Sequence, residues 1–310
     1  MKPAASVLLL TTLTGFGYGL LAWLAVFALF GLLPASPWFM PAGVVIALAF
    51  AGAGLAASML HLGRPERAWR AFSQWRSSWL SREGVASLTT FPPALAFAAF
   101  WWFAGPGAPV TIILGLLAGA LGLVTVFCTA MIYASLKPIR QWHNAHTAPD
   151  YVLFALFSGA ILLALLLAAW TGGASIAALI ALAAAIIAAI AKLAYWRFID
   201  AQPPLADLAS ATGLKAYGTV RPLDAPHFTE NYVLREMGFR IARKHAAKLR
   251  RIVVLTAFLL PALLAALTAL GIAPLAASLI AALFTALGLF TERWLFFAEA
   301  THVSTLYYGR

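Results

Sequence analysis

Charged residues are missing from four long stretches of this chain. No Asp, Glu, Lys or Arg occurs in residues 3–63, 84–136, 151–191 and 252–291. Each stretch is about 40 to 60 residues long, which is room for two membrane-spanning helices of roughly 20 residues each. An uncharged turn containing Pro, Gly or Ser lies near the middle of each stretch. The pattern therefore predicts four helical hairpins, whose open ends carry the charges and face one side of a membrane.

The four hairpins predict eight membrane spans. These spans lie near residues 6–33, 39–62, 85–104, 109–135, 151–171, 174–197, 252–271 and 275–297. Pro261 is expected to kink the seventh span, because proline cannot donate a helical hydrogen bond. In the long segment 198–251, Val233, Met237 and Ile241 recur at every fourth residue. This spacing predicts an amphipathic helix from about Asn231 that runs into the seventh span.

The composition indicates an integral membrane protein. Hydrophobic residues make up 63% of the chain and charged residues only 10%, and the mean hydropathy is +0.90. So few charges cannot cover a water-soluble surface of this size. The apolar runs are too long for barrel strands, and helices satisfy their own backbone groups in lipid. We therefore expect residues 1–310 to form a single all-α membrane domain, an eight-helix bundle in the lipid bilayer.

The charge distribution predicts an orientation. The net charge of +11 comes mostly from basic residues between the hairpins, and residues 64–83 alone contain five Arg. Basic loops mark the cytoplasmic side of an inner-membrane protein, and they explain the net charge without a nucleic-acid partner. We expect both termini and the charged loops in the cytoplasm of a bacterial cell, with the hairpin turns in the periplasm.

The first candidate site lies between the second and third predicted spans. His61 ends one span and Glu83 opens the next, so antiparallel packing would bring both to a similar depth. A histidine and a carboxylate there suit a quinone headgroup, since both exchange protons with its oxygens. Arg64, Arg67 and Arg82 could keep Glu83 ionised or bind lipid phosphate. An ordinary interfacial loop is the alternative, and spacing alone favours it.

The second candidate lies in the last turns of the eighth predicted span. Glu292 and Glu299 are seven residues apart and therefore share one face of a helix. Arg293 could pair with a carboxylate from another span, because an unpaired charge there is costly. A structural ion pair and a role beside a quinone pocket remain equally open.

The residues point away from a resident metal centre in this chain. His143 and His146 are three residues apart but lack further ligands at metal-binding spacing. The single cysteine, Cys128, does not suffice for an iron–sulfur cluster, and no histidine lies deep in a predicted span to ligate haem. We therefore expect no metal, no haem and no iron–sulfur cluster here.

Several motifs resemble one known family over the whole length of the chain. They run from His61 to Trp69, from Ser78 to Glu83, from Met131 to Pro138, from Gly238 to His245 and from Glu292 to Trp294. These segments resemble the membrane anchor subunit of dimethyl sulfoxide reductase, the DmsC family. The resemblance implies a haem-free, eight-helix anchor that binds ubiquinone or menaquinone. It assigns the quinone-site histidine and carboxylate to His61 and Glu83, and the arginine after the proline to Arg67.

The resemblance also implies two partners, an iron–sulfur subunit and a molybdopterin catalytic subunit, both docking on the charged face. This chain would then pass electrons between an iron–sulfur cluster and quinone, without a catalytic residue of its own. The cytoplasmic orientation favours a sulfite-oxidising complex. The alternatives are the anchor of a reductase for dimethyl sulfoxide or another S- or N-oxide that oxidises menaquinol, a purely structural anchor and, more distantly, a membrane transporter.

Overall fold

The computed structural model describes residues 3–60, 62–224 and 241–308. Helices dominate these residues, which contain no β-strand. The amphipathic helix predicted from Asn231 begins outside the described residues. His61 also lies outside them.

Eight helices in the described ranges are long and apolar enough to cross a membrane. Together with the short helix α7, they are α1 (Ala5–Leu29), α2 (Phe39–Met59), α3 (Trp79–Phe103), α4 (Pro109–Ala134), α5 (Thr147–Thr171), α6 (Ser175–Ala201), α7 (Leu208–Thr212), α8 (Ile241–Val253, Val254–Leu259 and Leu260–Ala269) and α9 (Pro274–Ala298). The prediction of an all-α, eight-helix membrane protein is confirmed.

Several helices extend into the charged segments. Helix α3 begins at Trp79 rather than near residue 85, and α5 begins at Thr147 rather than near residue 151. Both helices contain charged residues in their first turns, so the charge-free stretches predicted helices that begin too late. Ser78 caps α3, because its side chain accepts a hydrogen bond from the Ser81 amide. Glu83 consequently lies inside a helix, with its orientation fixed.

Helix α1 packs at the centre of the bundle. It contacts α2, α4 and α5, and consecutive helices also pack as α3–α4, α5–α6 and α8–α9. Gly19 of α1 and Gly159 of α5 lie against each other so closely that a Cβ on either would overlap the backbone of the other helix. Small residues at such crossings let helices approach closely in lipid, where packing replaces the hydrophobic effect.

Helix α8 changes its hydrogen-bond pattern in the middle. Val254–Leu259 form a π-helical segment just before Pro261. Pro261 has no amide hydrogen to donate, and a π-turn accommodates the interrupted ladder. Gly288 of α9 lies directly against the backbone of Ala257 in this segment. The close approach holds the charged last turns of α9 firmly within the bundle.

Candidate functional site

A cavity of about 640 Å³ lies at the charged end of the bundle. Its walls come from α1, α2, α3, α4 and the segment that joins α2 to α3. Three of the four principal candidates from the sequence, Arg64, Arg67 and Glu83, line it. The rest of the wall is largely apolar and is formed by Val7, Leu10, Leu55, Ser58, Met59, Leu62, Gly63, Ala68, Ala71, Phe72, Leu80, Gly84, Ser87, Leu88, Ile132 and Tyr133.

A 3₁₀ helix, Pro65–Gln74, covers one side of this cavity. We call it the lid helix. Phe72 of the lid helix lies over Gly84 of α3, where a Cβ would approach the Phe72 ring to 2.9 Å. Glycine at this position therefore lets the lid helix lie close to α3. The exposed face of the segment carries arginine–tryptophan stacks, including Arg70 over Trp69 with 5.6 Å from Cζ to the ring centroid.

Glu83 is the buried carboxylate of the cavity wall. Its residue surface is 5% exposed, and its Oε1 accepts a hydrogen bond of 2.6 Å from the Thr129 hydroxyl of α4. No ion pair of Glu83 occurs among the described residues. The second oxygen, Oε2, therefore remains available within this part of the chain. A buried carboxylate held by one neutral donor is an unusual wall element, since such groups are normally paired.

Arg82 is not the counter-ion that the sequence suggested. Its Nε donates to the Trp75 carbonyl at 3.0 Å and its Nη2 to the Arg76 carbonyl at 2.7 Å. Its Cζ lies 4.3 Å from the centroid of the Trp79 ring. Arg82 therefore ties the end of the loop to the start of α3. Arg64 and Arg67 remain as the exposed cations that line the cavity.

The position of His61 stays a prediction, because this residue is not described. Its neighbours in the chain are informative, since Leu62 and Gly63 both line the cavity. Residues 62 and 63 thus reach the same wall as Glu83.

Sequence reasoning missed two polar residues of this wall, Ser87 and Tyr133, and one residue that contacts the wall from behind, Thr129. Thr129 holds Glu83, and Ser87 lies one helical turn beyond Glu83, where its hydroxyl is 2.7 Å from the hydroxyl of Tyr18. Tyr133 lines the cavity at the end of α4. Only the spacing of Ser87 from Glu83 was visible in the sequence. The other two lie in an apolar span whose packing partner could not be read from the chain.

A separate ion cluster lies among α5, α6 and α9. Lys192 Nζ lies 2.5 Å from Glu292 Oε1, and Arg293 Nε lies 3.6 Å from Glu292 Oε2. Asp150 interacts electrostatically with all three. These four residues are at most 4% exposed. We call them the buried ion cluster.

The cluster contains two residues that the sequence did not single out, Lys192 and Asp150. The sequence allowed Arg293 a carboxylate partner from another span, and Asp150 of α5 does interact with it electrostatically, whereas its ion pair is with Glu292 of its own helix. The pair that joins two spans is Lys192–Glu292. Asp150 was missed because it precedes a charge-free stretch and resembled a loop residue, and Lys192 was missed because it is a single charge near the end of the predicted span 174–197.

Glu299 belongs to a third group, at the outer end of α9. Arg250 Nε lies 2.9 Å from Glu299 Oε1, and Arg250 Nη1 lies 2.6 Å from Asp200 Oδ2. Burial raises the pKa of the Glu299 carboxyl, and the hydrogen bonds from Arg250 offset part of that rise. Neither Glu299 nor Arg293 is among the residues that line the cavity. A role for them beside a quinone pocket stays a prediction, and a structural ion pair remains its alternative.

Aromatic rings separate the cavity from the buried ion cluster. Tyr133, which lines the cavity, stacks on Tyr151 with 6.0 Å between ring centroids. On the other side, the Arg293 guanidinium carbon lies 3.6 Å from the centroid of the Tyr151 ring. Trp142, Phe296 and Phe297 pack around the two tyrosines. The wall between the two polar regions is thus only two side chains thick.

Comparison with known proteins gives this architecture a family. Residues 1–299 match the family model described as DMSO reductase anchor subunit (DmsC). The chain is 34% identical to a sulfite dehydrogenase subunit of Allochromatium vinosum, over 99% of both chains. A part covering 38% of this chain and 41% of the relative is 33% identical to anaerobic dimethyl sulfoxide reductase chain YnfH of Escherichia coli. With a family match over nearly its whole length, this membrane protein belongs to the DMSO reductase anchor subunit (DmsC) family.

Proposed function

We propose that this chain is the quinone-binding membrane anchor of a molybdopterin/iron–sulfur oxidoreductase complex. It passes electrons between a partner iron–sulfur subunit and ubiquinone or menaquinone in the membrane. The observation that carries the proposal is the apolar cavity at the membrane edge with Glu83 in its wall. Its volume of about 640 Å³ is within the range of small-molecule pockets.

The wall suits both ends of a quinone molecule. Its leucines and Phe72 provide an apolar surface for a ring and isoprenoid tail, while Glu83 and Ser87 provide polar contacts for the ring oxygens. Thr129 occupies Glu83 Oε1, so Oε2 is the oxygen that holds or releases a proton. Reduction of a quinone consumes two electrons and two protons, and we propose His61 as the second proton-exchanging group.

Arg64 and Arg67 act at the mouth of this cavity in our proposal. Both are exposed side chains that also line it. Their positive charges favour developing negative charge on a ring oxygen as electrons arrive. The exposed tryptophans of the same segment, Trp69 and Trp75, anchor it at the membrane surface. The iron–sulfur subunit, with the molybdopterin subunit beyond it, docks on this charged face.

Sulfite is the substrate that we favour for the complex. Similarity to the sulfite dehydrogenase subunit extends over 99% of both chains, whereas the match to the reductase chain of Escherichia coli covers 38% of this chain. Sulfite and water would yield sulfate, two protons and two electrons on the molybdenum subunit. The five Arg between residues 64 and 83 favour a cytoplasmic location for that chemistry and for both termini, in a bacterial inner membrane. An anchor of an S- or N-oxide reductase, oxidising menaquinol, is the second candidate because of the reductase relatives.

Binding of a quinone analogue tests the proposed site. The purified full-length chain in lipid nanodiscs should bind a hydroxyquinoline N-oxide, and Glu83→Gln should weaken that binding about tenfold or more, as expected for a lost charged hydrogen-bond partner. Glu66→Gln is the matched control, because Glu66 is an exposed carboxylate of the lid helix that does not line the cavity. Equal affinities for all three proteins would contradict the site.

A further inference from the structure

Several buried polar atoms near the cluster have no hydrogen-bond partner in the described part of the chain. They are the Tyr151 hydroxyl, Trp196 Nε1 and both carboxylate oxygens of Glu292. Glu292 is paired ionically with Lys192 at 2.5 Å and with Arg293 at 3.6 Å, and its carboxylate makes no hydrogen bond in the described part of the chain. Buried polar atoms of this kind normally bind ordered water.

The residues of these atoms belong to a series of neighbouring side chains that starts at the surface. The Asp200 side chain is 59% exposed and accepts two hydrogen bonds from Arg250, at 2.6 and 3.0 Å. Arg250 also binds Glu299. The ring of Trp196 lies between Arg250 and Lys192, because its centroid is 5.3 Å from Arg250 Cζ and 5.3 Å from Lys192 Nζ. The charged surface is thus joined to the buried ion cluster.

The series of neighbouring side chains continues from the buried ion cluster to the cavity wall. Arg293 connects Glu292 to Tyr151, since it contacts the carboxylate of one and the ring of the other. Tyr151 stacks on Tyr133, which lines the cavity that also contains Glu83. Neighbouring side chains, all of them titratable except Trp196, therefore lead from solvent to the proposed quinone site.

A purely structural ion cluster explains these features less well. A buried ion pair stabilises a protein only when its remaining lone pairs are satisfied, and a half-satisfied network costs stability. Here Glu292, which is ion-paired, and Tyr151 make no hydrogen bond through their buried oxygens in the described part of the chain, and both lie between the surface and the cavity. Buried polar groups without hydrogen bonds are expected along a water-containing path, and they are not expected in an ion cluster that only stabilises the bundle.

We propose that Glu292 and Tyr151, with bound water, form a proton route from the exposed carboxylate of Asp200, past the buried Glu299, to the quinone cavity. The proposal rests on the quinone function proposed above. A proton taken up at the surface reaches the Glu292 carboxylate, and the Tyr151 hydroxyl releases one proton toward Tyr133 as it accepts another. Each transfer returns the cluster to its original charge. Two such transfers accompany the two electrons that the iron–sulfur subunit supplies to each quinone.

Two substitutions test the route in the complete complex. Tyr151→Phe removes only a hydroxyl, and Glu292→Gln removes only a titratable proton site. We expect each to lower quinone-linked turnover about tenfold or more, within the range of lost acid–base groups. The ratio of rates in H₂O and D₂O should rise, because proton delivery becomes limiting. Affinity for the hydroxyquinoline N-oxide should not change. Matched controls are Tyr217→Phe and Asp224→Asn, both at exposed positions.

Each outcome decides between the alternatives. Unchanged turnover and an unchanged isotope ratio in Tyr151→Phe and Glu292→Gln would overturn the route while leaving the quinone site intact. A fall in turnover without a change in the isotope ratio, accompanied by weaker analogue binding, would also overturn it and indicate a structural role. If Glu292→Gln does not assemble, Tyr151→Phe decides alone. Failure of the wild-type protein to bind the analogue would instead overturn the quinone function, and the route with it.

Discussion

The Thr129 hydroxyl of α4 donates a hydrogen bond of 2.6 Å to Glu83 Oε1 of α3. This bond joins two helices inside the apolar part of the bundle and fixes one oxygen of the only acidic side chain that lines the described cavity. It therefore links the packing of the α3–α4 pair to the geometry of the proposed quinone site.

Thr129→Val should destabilise the protein and weaken quinone binding together. The substitution keeps the shape of the side chain but leaves a buried carboxylate oxygen without its donor, which costs about 1–3 kcal/mol. Unfolding in mixed detergent micelles and analogue binding would measure the two effects. Thr125→Val is a matched control, because the Thr125 hydroxyl binds only the Leu121 carbonyl of its own helix. Equal effects of the two variants would contradict a special role for the Thr129 bond.

Glu83→Gln and His61→Ala should separate two activities of the complex. Both variants remove a proposed proton-exchanging group, so quinone-linked turnover should fall about 100-fold. Turnover with an artificial dye that accepts electrons from the iron–sulfur subunit should persist, since it bypasses this chain. Steady-state assays in native membranes would show both. A parallel loss of dye-linked turnover would indicate failed assembly rather than a lost quinone site.

Gly84→Ala should displace the lid helix. The new methyl group would lie 2.9 Å from the Phe72 ring, so the ring must shift, and we expect the lid helix to move away from α3 with it. We expect analogue affinity to fall severalfold and to recover partly in the double variant Gly84→Ala/Phe72→Leu. Gly52→Ala serves as control, because a Cβ at Gly52 meets open space. An unchanged affinity in Gly84→Ala would show that the lid position does not affect binding.

Lys192→Met should destabilise the bundle strongly. It leaves Glu292 without its closest cation in a fully buried position, and breaking a buried pair costs about 3–5 kcal/mol. The double variant Lys192→Met/Glu292→Gln should recover part of this loss, because no unpaired carboxylate then remains at residue 292. Lys137→Met, at an exposed position, should have little effect. Additive losses in the double variant would mean that the two residues do not interact.

The sequence predicted the helices better than it predicted their ends. Charge-free stretches identify apolar spans because a bilayer excludes unpaired charge, but a paired charge can lie within a span. Glu83 and Lys192 illustrate this, since both are buried inside long helices. A pattern based on missing charges places Glu83 at the edge of a span, and it does not show that Lys192, inside the predicted span 174–197, is buried and paired.

The sequence predicted those residues of the candidate site that lie in the recognised motifs. Glu83, Arg64 and Arg67 do line one cavity. Arg293 and Glu299 belong to other groups, because residues on one helix can contact different neighbours at different depths. Thr129 and Tyr133 could not be identified, since neither charge nor periodicity distinguishes a polar residue that faces a cavity from one that bonds its own helix.

The Gly19–Gly159 contact has a consequence for how the protein is made. Helix α1 leaves the ribosome before α5, yet its closest backbone approach is to α5. During synthesis, the surface around Gly19 must therefore remain without its final partner while α2, α3 and α4 enter the membrane. A slow or failed insertion of α5 would leave this surface of α1 uncovered, although α1 already has α2 and α4 to pack against.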